Sequence, residues 1–144
     1  MKSVSNAYKA SMKAMLRNRS YVRITFGNVD TTAATGKRVR ETGKVIVTVP
    51  GESLTQAVVA CGSSTGATSH KVEENHIEMT SVEGSDIQIP ADTRLAMVAT
   101  LQQTVEVGDH IMHICQVDKF LGDESKQGLY AWNGFGKVAP AVEG

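Results

Sequence analysis

The residues best suited to chemistry follow Cys61, where Gly62-Ser63-Ser64-Thr65-Gly66-Ala67-Thr68-Ser69 leads through His70 to Lys71. Small hydroxyl and glycine residues present backbone amides and O–H donors to a single anion, and a lysine supplies the compensating charge, so a phosphate is the group such a segment would hold. The spacing matches neither G-x-G-x-x-G nor the Walker pattern. A plain surface loop beside a solvated lysine is the blander alternative. His110 follows Gly108-Asp109 at the start of a strand-like run. Its imidazole is expected on a rim, either donating a hydrogen bond to a ligand near neutral pH or simply standing at a turn. His113, three residues on, faces the other side of a strand and cannot join His110 in a metal pair. His70 and His76 flank a short helical stretch without a third ligand and read as structural or exposed.

Cys61 falls at the C-terminal end of a helical segment, where a thiol is not activated, and Cys115 lies in a strand-like run. Two cysteines so placed make neither a disulfide framework nor a zinc site. The chain assembles no Ser-His-Asp arrangement and no diagnostic carboxylate pair, so no metal or nucleophile is expected.

The elements that must position these groups follow from periodicity. Val4, Tyr8, Met12, Met15 and Leu16 recur at helical spacing. Tyr21 to Phe26 alternates as a strand with one buried face, and Asp30 to Thr42 suits a short helix ending at Gly43. Val45 to Val49, stopped by Pro50, is a β-branched run expected to be buried on both sides. Ser53-Leu54-Thr55-Gln56 has capping-box spacing, which predicts a helix running to about Ala60 and ending near Gly62. In the last third, Leu95 to Val107 places Leu95, Met97, Ala99, Leu101, Gln103, Val105 and Val107 on one face. With His110 to Val117 it predicts a long antiparallel hairpin. A second small hairpin is expected around Asn133-Gly134, between Leu129–Trp132 and Phe135–Val138.

The 144 residues suit one domain, 41% hydrophobic and 21% charged, as in a soluble globular protein. No apolar run reaches the roughly 18 to 20 residues of a membrane span, and no secretory leader is evident, so a cytoplasmic protein without membrane contact is expected. The zero net charge conceals a division. Residues 1–44 hold ten Lys/Arg against Asp30 and Glu41, or +8, and the remaining five basic and thirteen acidic residues give −8. Tyr8, Tyr21 and Phe26 are too sparse to interleave that basic segment for nucleic acid.

The order of short motifs carries more information than any one of them. Arg40-Glu41-Thr42-Gly43, the strand Val45 to Val49 closed by Pro50, Cys61-Gly62, Thr65-Gly66, Lys71 and Gly108-Asp109-His110 together resemble the flavin reductase-like, FMN-binding split-barrel family over residues 35 to 138. The resemblance implies a mainly β fold, an antiparallel, Greek-key-like FMN-binding split β-barrel with short helices. It implies FMN as cofactor, with Thr35, Ser64, Thr65, Gly66 and Lys71 around the phosphate and ribityl chain and Thr48 and Cys61 completing the cofactor-binding set. His110 would lie near the isoalloxazine and nicotinamide as a substrate-positioning residue. The implied chemistry is hydride transfer from NAD(P)H through FMN to flavin or another acceptor, in a homodimer.

Two departures stand out. Thr48 occupies the place of a family asparagine, and residues 1–34 form a basic helix and strand in place of the family's opening strands, ahead of a core at 35–144. Ser5 to Gly27 resembles the start of some phage tail structural proteins. The alternative reading is accordingly a cofactor-free split-barrel structural or interaction module.

Overall fold

The computed structural model describes residues 21–26, 34–63, 69–108, 110–131 and 137–141, without the side chains of 21–26 and 34. The chain is mainly β, with antiparallel pairings and short helices. It divides into two compact units. One draws on Thr48–Ala96 and Gly122–Gly144, and the other on Val4–Val47 and Met97–Leu121. The helix expected at Val4 to Leu16 lies outside the described residues.

In the second of these units, strand β1 (Tyr21–Phe26) occupies the predicted position, and helix α1 (Ala34–Thr42) ends where predicted, its expected start at Asp30 lying outside the described residues. Gly43 terminates α1 with φ +68° and donates its amide to the Val39 carbonyl at 2.9 Å. A left-handed residue at this point strongly favours glycine. Strand β2 (Lys44–Pro50) follows. Among its residues only Val45 is fully buried, so the β-branched run is half-covered and not buried on both sides as expected. Strands β1, β6 (His110–Gly122), β5 (Thr93–Val107) and β2 are hydrogen-bonded side by side in that order. Tyr21 pairs with Gln116 and Phe26 with Ile111. Val39, Val45, Ala99, Cys115, Val117 and Phe120 form the core here, and His113 is buried with them.

The single apolar face expected for β5 is not observed. Ala96 and Ala99, three apart and hence on opposite faces, are both buried, while Gln103 and Val107 are exposed. A long strand covered on both sides near its start and bare near its tip cannot keep one inward face throughout. Strand β6 also runs past the expected Val117. Its buried positions His113, Cys115 and Val117 alternate, then shift phase to Phe120.

In the other unit, a single 3-10 turn (Glu52–Leu54) leads into helix α2 (Thr55–Gly62). The capping box does not form, and no side chain caps α2. The Ser53 hydroxyl donates to Asp92 Oδ2 at 2.5 Å, so its bond goes to a carboxylate brought from 39 residues away. Helix α3 (Lys71–Glu74) has only four residues. Its end is a Schellman closure, with His76 N donating to Glu73 O and Ile77 N to Val72 O, and it holds His76 at φ +50°. Strands β3 (Met79–Ser81) and β4 (Gln88–Pro90) form a hairpin that periodicity did not foresee. It brings Ile89, with Val82, into a core that includes Ala57, Ala96 and Leu129. Burying a side chain the size of Ile89 contributes about 2 kcal/mol, so even a three-residue strand holds its place. Strands β7 (Leu129–Ala131) and β8 (Val138–Pro140) make the last hairpin, with a return strand later than expected. Its Asn133-Gly134 turn lies outside the described residues.

Candidate functional site

The junction of α2 and α3 is where the sequence places its anion-binding loop. Cys61 stands in the last turn of α2, and Lys71 opens α3. The Lys71 ammonium donates to the Cys61 carbonyl oxygen at 2.6 Å. A cation at the carbonyl end of a helix satisfies an otherwise unpartnered acceptor and complements the helix dipole. The same bond pins both ends of the intervening segment. Two expected residues, Cys61 and Lys71, are thus brought together. Ser64, Thr65 and Gly66 lie between them, outside the described residues. Ser63 turns its hydroxyl back onto the helix, donating toward Ala60 O at 3.0 Å and Val59 O at 3.3 Å. At the other end the His70 amide donates to Glu74 Oε1 at 3.1 Å, which closes the first turn of α3.

Thr48 and Cys61 share a second feature, an apolar pocket of about 150 Å³. Pro50, Ala57, Val58 and Pro90 supply much of its wall. Both threonine and cysteine are half-buried.

The remaining two expected residues belong to the other unit. Thr35 is exposed in the first turn of α1, a turn without acidic residues. His110 is exposed as the first residue of β6, just beyond Gly108 at φ +59°. His113 is wholly buried, as its opposite facing requires. Burial pushes the Cys115 thiol above its ordinary pKa, which keeps it protonated and unreactive. Among the described residues, no group of three His, Cys, Asp or Glu could hold a metal, and no helix is long and apolar enough to cross a membrane.

Sequence reasoning missed a polar knot centred on Asp92. Its Oδ2 accepts from the Ser53 hydroxyl and, at 3.1 Å, from the Ser53 amide. Its Oδ1 faces the Lys126 ammonium at 3.2 Å, and Lys126 also donates to Ala91 O at 2.8 Å. Burial alone would raise the Asp92 pKa. The bonds from Ser53 and Lys126 and the lysine charge outweigh it and hold the carboxyl below its usual value. Arg94 completes the knot by donating through Nη1 to the Lys126 carbonyl and, at 3.3 Å, to Glu124 O. Partners 30 to 39 residues apart leave no local signal in a sequence.

A sequence model of the flavin reductase like domain matches residues 24–139. The chain belongs to that family. The matched region begins inside β1, ahead of Thr35, where the motif resemblance began. Similar solved structures include the NADH:FAD oxidoreductase SgcE6 of Streptomyces globisporus, at 14% identity and TM-score 0.70, covering 88% of this chain and 72% of that one. Component B of nitrilotriacetate monooxygenase from Bacillus cereus is similar at 14% identity and TM-score 0.73, over 89% of this chain and 72% of that one. An FMN-binding protein from Thermus thermophilus gives 12% identity and TM-score 0.72, over 89% and 73%. At such identities the likeness is one of fold. No curated protein matches the chain by sequence.

For a flavin nucleotide, the donor chemistry at the α2–α3 junction fits the phosphate-bearing tail. A cation is held in a fixed place at the edge of a segment rich in hydroxyls and glycine.

Proposed function

We propose that this flavin reductase-like domain is an FMN-binding oxidoreductase that passes reducing equivalents from NAD(P)H to a flavin or another acceptor. The observation that carries the reading is the bond from Lys71 to the Cys61 carbonyl, which closes a hydroxyl- and glycine-rich segment beside a fixed positive charge in a chain of this family. The names of similar structures, an NADH:FAD oxidoreductase and an FMN-binding protein, point the same way.

In this reading Lys71 neutralises the phosphate, with Ser64 and Thr65 donating hydroxyls and Gly66 allowing close approach of the backbone. Tethering Lys71 through one of its three N–H groups restricts a flexible side chain before any ligand arrives, which lowers the entropy cost of binding. Thr48 and Cys61 flank this junction as members of the cofactor-binding set, and Thr48 has a shorter polar reach than the asparagine it replaces. Thr35 carries the family's role at the ribityl and phosphate, and His110 that of positioning the nicotinamide. The bound flavin supplies the hydride acceptor, and the protein supplies orientation and electrostatics. The working form is a homodimer.

Mixing the protein with FMN and NADH or NADPH tests the reading. Flavin-dependent oxidation of the nucleotide is expected, and its absence at saturating FMN contradicts the proposal in favour of a cofactor-free module. Lys71→Ala should weaken FMN binding by roughly 10- to 100-fold, the value of one charge-assisted hydrogen bond. An unchanged affinity removes Lys71 from the site. His110→Ala should raise the KM for the nicotinamide nucleotide while leaving FMN affinity unaltered.

A further inference from the structure

We infer that the cleft between the start of β5, the turn from Asp123 to Lys126 and strand β7 is a binding site for a small aromatic carboxylate. The cleft is open to solvent, measures about 500 Å³, and has Arg94, Glu124, Lys126, Gly128, Tyr130 and Ala141 in its lining. Arg94 organises it. Its backbone carbonyl accepts the Asp123 amide at 2.9 Å, and its Nη1 donates to the Glu124 and Lys126 carbonyls, so one residue fixes the turn at both ends. Those two bonds use both hydrogens of Nη1. Among the described residues, no group accepts from Nε or Nη2. That edge of a guanidinium holds two parallel N–H groups in one plane, the geometry that a carboxylate matches.

The surrounding charges set the valence of the ligand. Lys126 is already paired with Asp92 at 3.2 Å, whereas Arg94 is tethered by neutral carbonyls and has no carboxylate partner among the described residues. One positive charge therefore faces the cleft uncompensated, and Glu124 on the same wall opposes a second negative charge on the ligand. The ring follows from Tyr130, which is 50% exposed. A Cβ on Gly128 would stand 2.9 Å from Arg94 Cδ and 3.6 Å from Tyr130 Cε2, so glycine leaves bare backbone between the arginine and the phenol. A flat ring can lie there against Tyr130 while its carboxylate reaches the fork. None of the described lining residues belongs to the cofactor-binding set. On β2 it is Val49 that approaches Gly128, and alternation turns Thr48 to the opposite face of the strand.

The test is a benzoate titration of the purified protein, read by NMR at the Arg94 Nε–H and the Tyr130 ring. Saturable shifts at both are expected, with a dissociation constant on the order of 1 mM for a ligand this small, rising with added salt. Acetate lacks the ring and toluene the charge, and each should bind about 10-fold more weakly or worse. Phenyl phosphate, a dianion, should bind no more tightly than benzoate. Arg94→Lys keeps the charge but loses the fork, and should weaken benzoate by about 10-fold or more. Should that variant fail to fold, Tyr130→Leu at a half-exposed position provides a second measurement, with a loss of about 3- to 10-fold. Absence of saturation, equal affinity for acetate or toluene, tighter binding of phenyl phosphate, or unchanged affinity in Tyr130→Leu overturns the inference. So does displacement of benzoate by FMN, since the cleft would then belong to the flavin. A failure of flavin binding registers separately, in an FMN titration without benzoate.

Discussion

Replacing Asp92 by Asn removes a charge while keeping the shape of the side chain, and the knot around it makes the cost calculable. Asp92 accepts two hydrogen bonds from Ser53 and pairs with Lys126 at 3.2 Å. Charge-assisted hydrogen bonds are roughly twice as strong as neutral ones, and a bond to a charged group contributes about 1.5–3 kcal/mol. The side chains of Asp92 and Lys126 remain 26% and 28% exposed, so solvent screens much of that gain. Asp92→Asn should therefore cost about 1–2 kcal/mol near neutral pH, lowering the unfolding midpoint by roughly 3–6 °C for a chain of this size.

The pH dependence has a definite sign. The Asp92 pKa is lowered in the folded state, so its contribution is complete above the unfolded aspartate value of about 3.9 and is lost as pH falls through the lower folded value. Urea unfolding of wild type and variant, at pH 7 and again near pH 2.5, is the assay. The gap should be largest at pH 7 and shrink as pH falls through the lowered folded value and the wild-type carboxyl takes up its proton. Equal stabilities at pH 7, or a gap that persists undiminished in acid, would refute the electrostatic reasoning.

Two backbone positions allow sharper tests of local structure. Gly43→Ala places a side chain at φ +68° and should destabilise the chain by about 1–2 kcal/mol, measurable as a lower urea midpoint. His76→Gly relieves a side chain held at φ +50° and should raise the unfolding free energy by about 1 kcal/mol, seen as a higher urea midpoint, and a loss of stability would show that the imidazole makes a needed contact.

How far the sequence reveals this protein depends on the range of the interaction. Strand β1, helix α1 with its Gly43 stop, and helix α2 coincide closely with their patterns because their signals are local. The β3–β4 hairpin was missed because strands of three residues are too short for alternation to register. Its one local sign was the turn-forming Glu83-Gly84-Ser85-Asp86, with Gly84 at φ +78°. Ser53 misled for the opposite reason. Its capping pattern is correct for an isolated helix, and only the fold brings Asp92 to its hydroxyl.

At the candidate site, composition points to an anion-binding segment beyond Cys61, and its residues 64–68 lie outside the described ones. The bond joining Lys71 to Cys61, and the apolar pocket in which Thr48 and Cys61 share, were not readable from composition, since each depends on how β2, α2 and β4 pack. The family was legible in the order of its motifs, although the matched region reaches back to residue 24.

Fluorescence titration of FMN with the purified protein most directly tests the central claim that the segment held between Cys61 and Lys71 grips a flavin's phosphate. Saturable binding near one flavin per chain, weaker for riboflavin, which lacks the phosphate, is the expected result. Flavin fluorescence that stays constant at high protein concentration, or equal affinity for FMN and riboflavin, would contradict it.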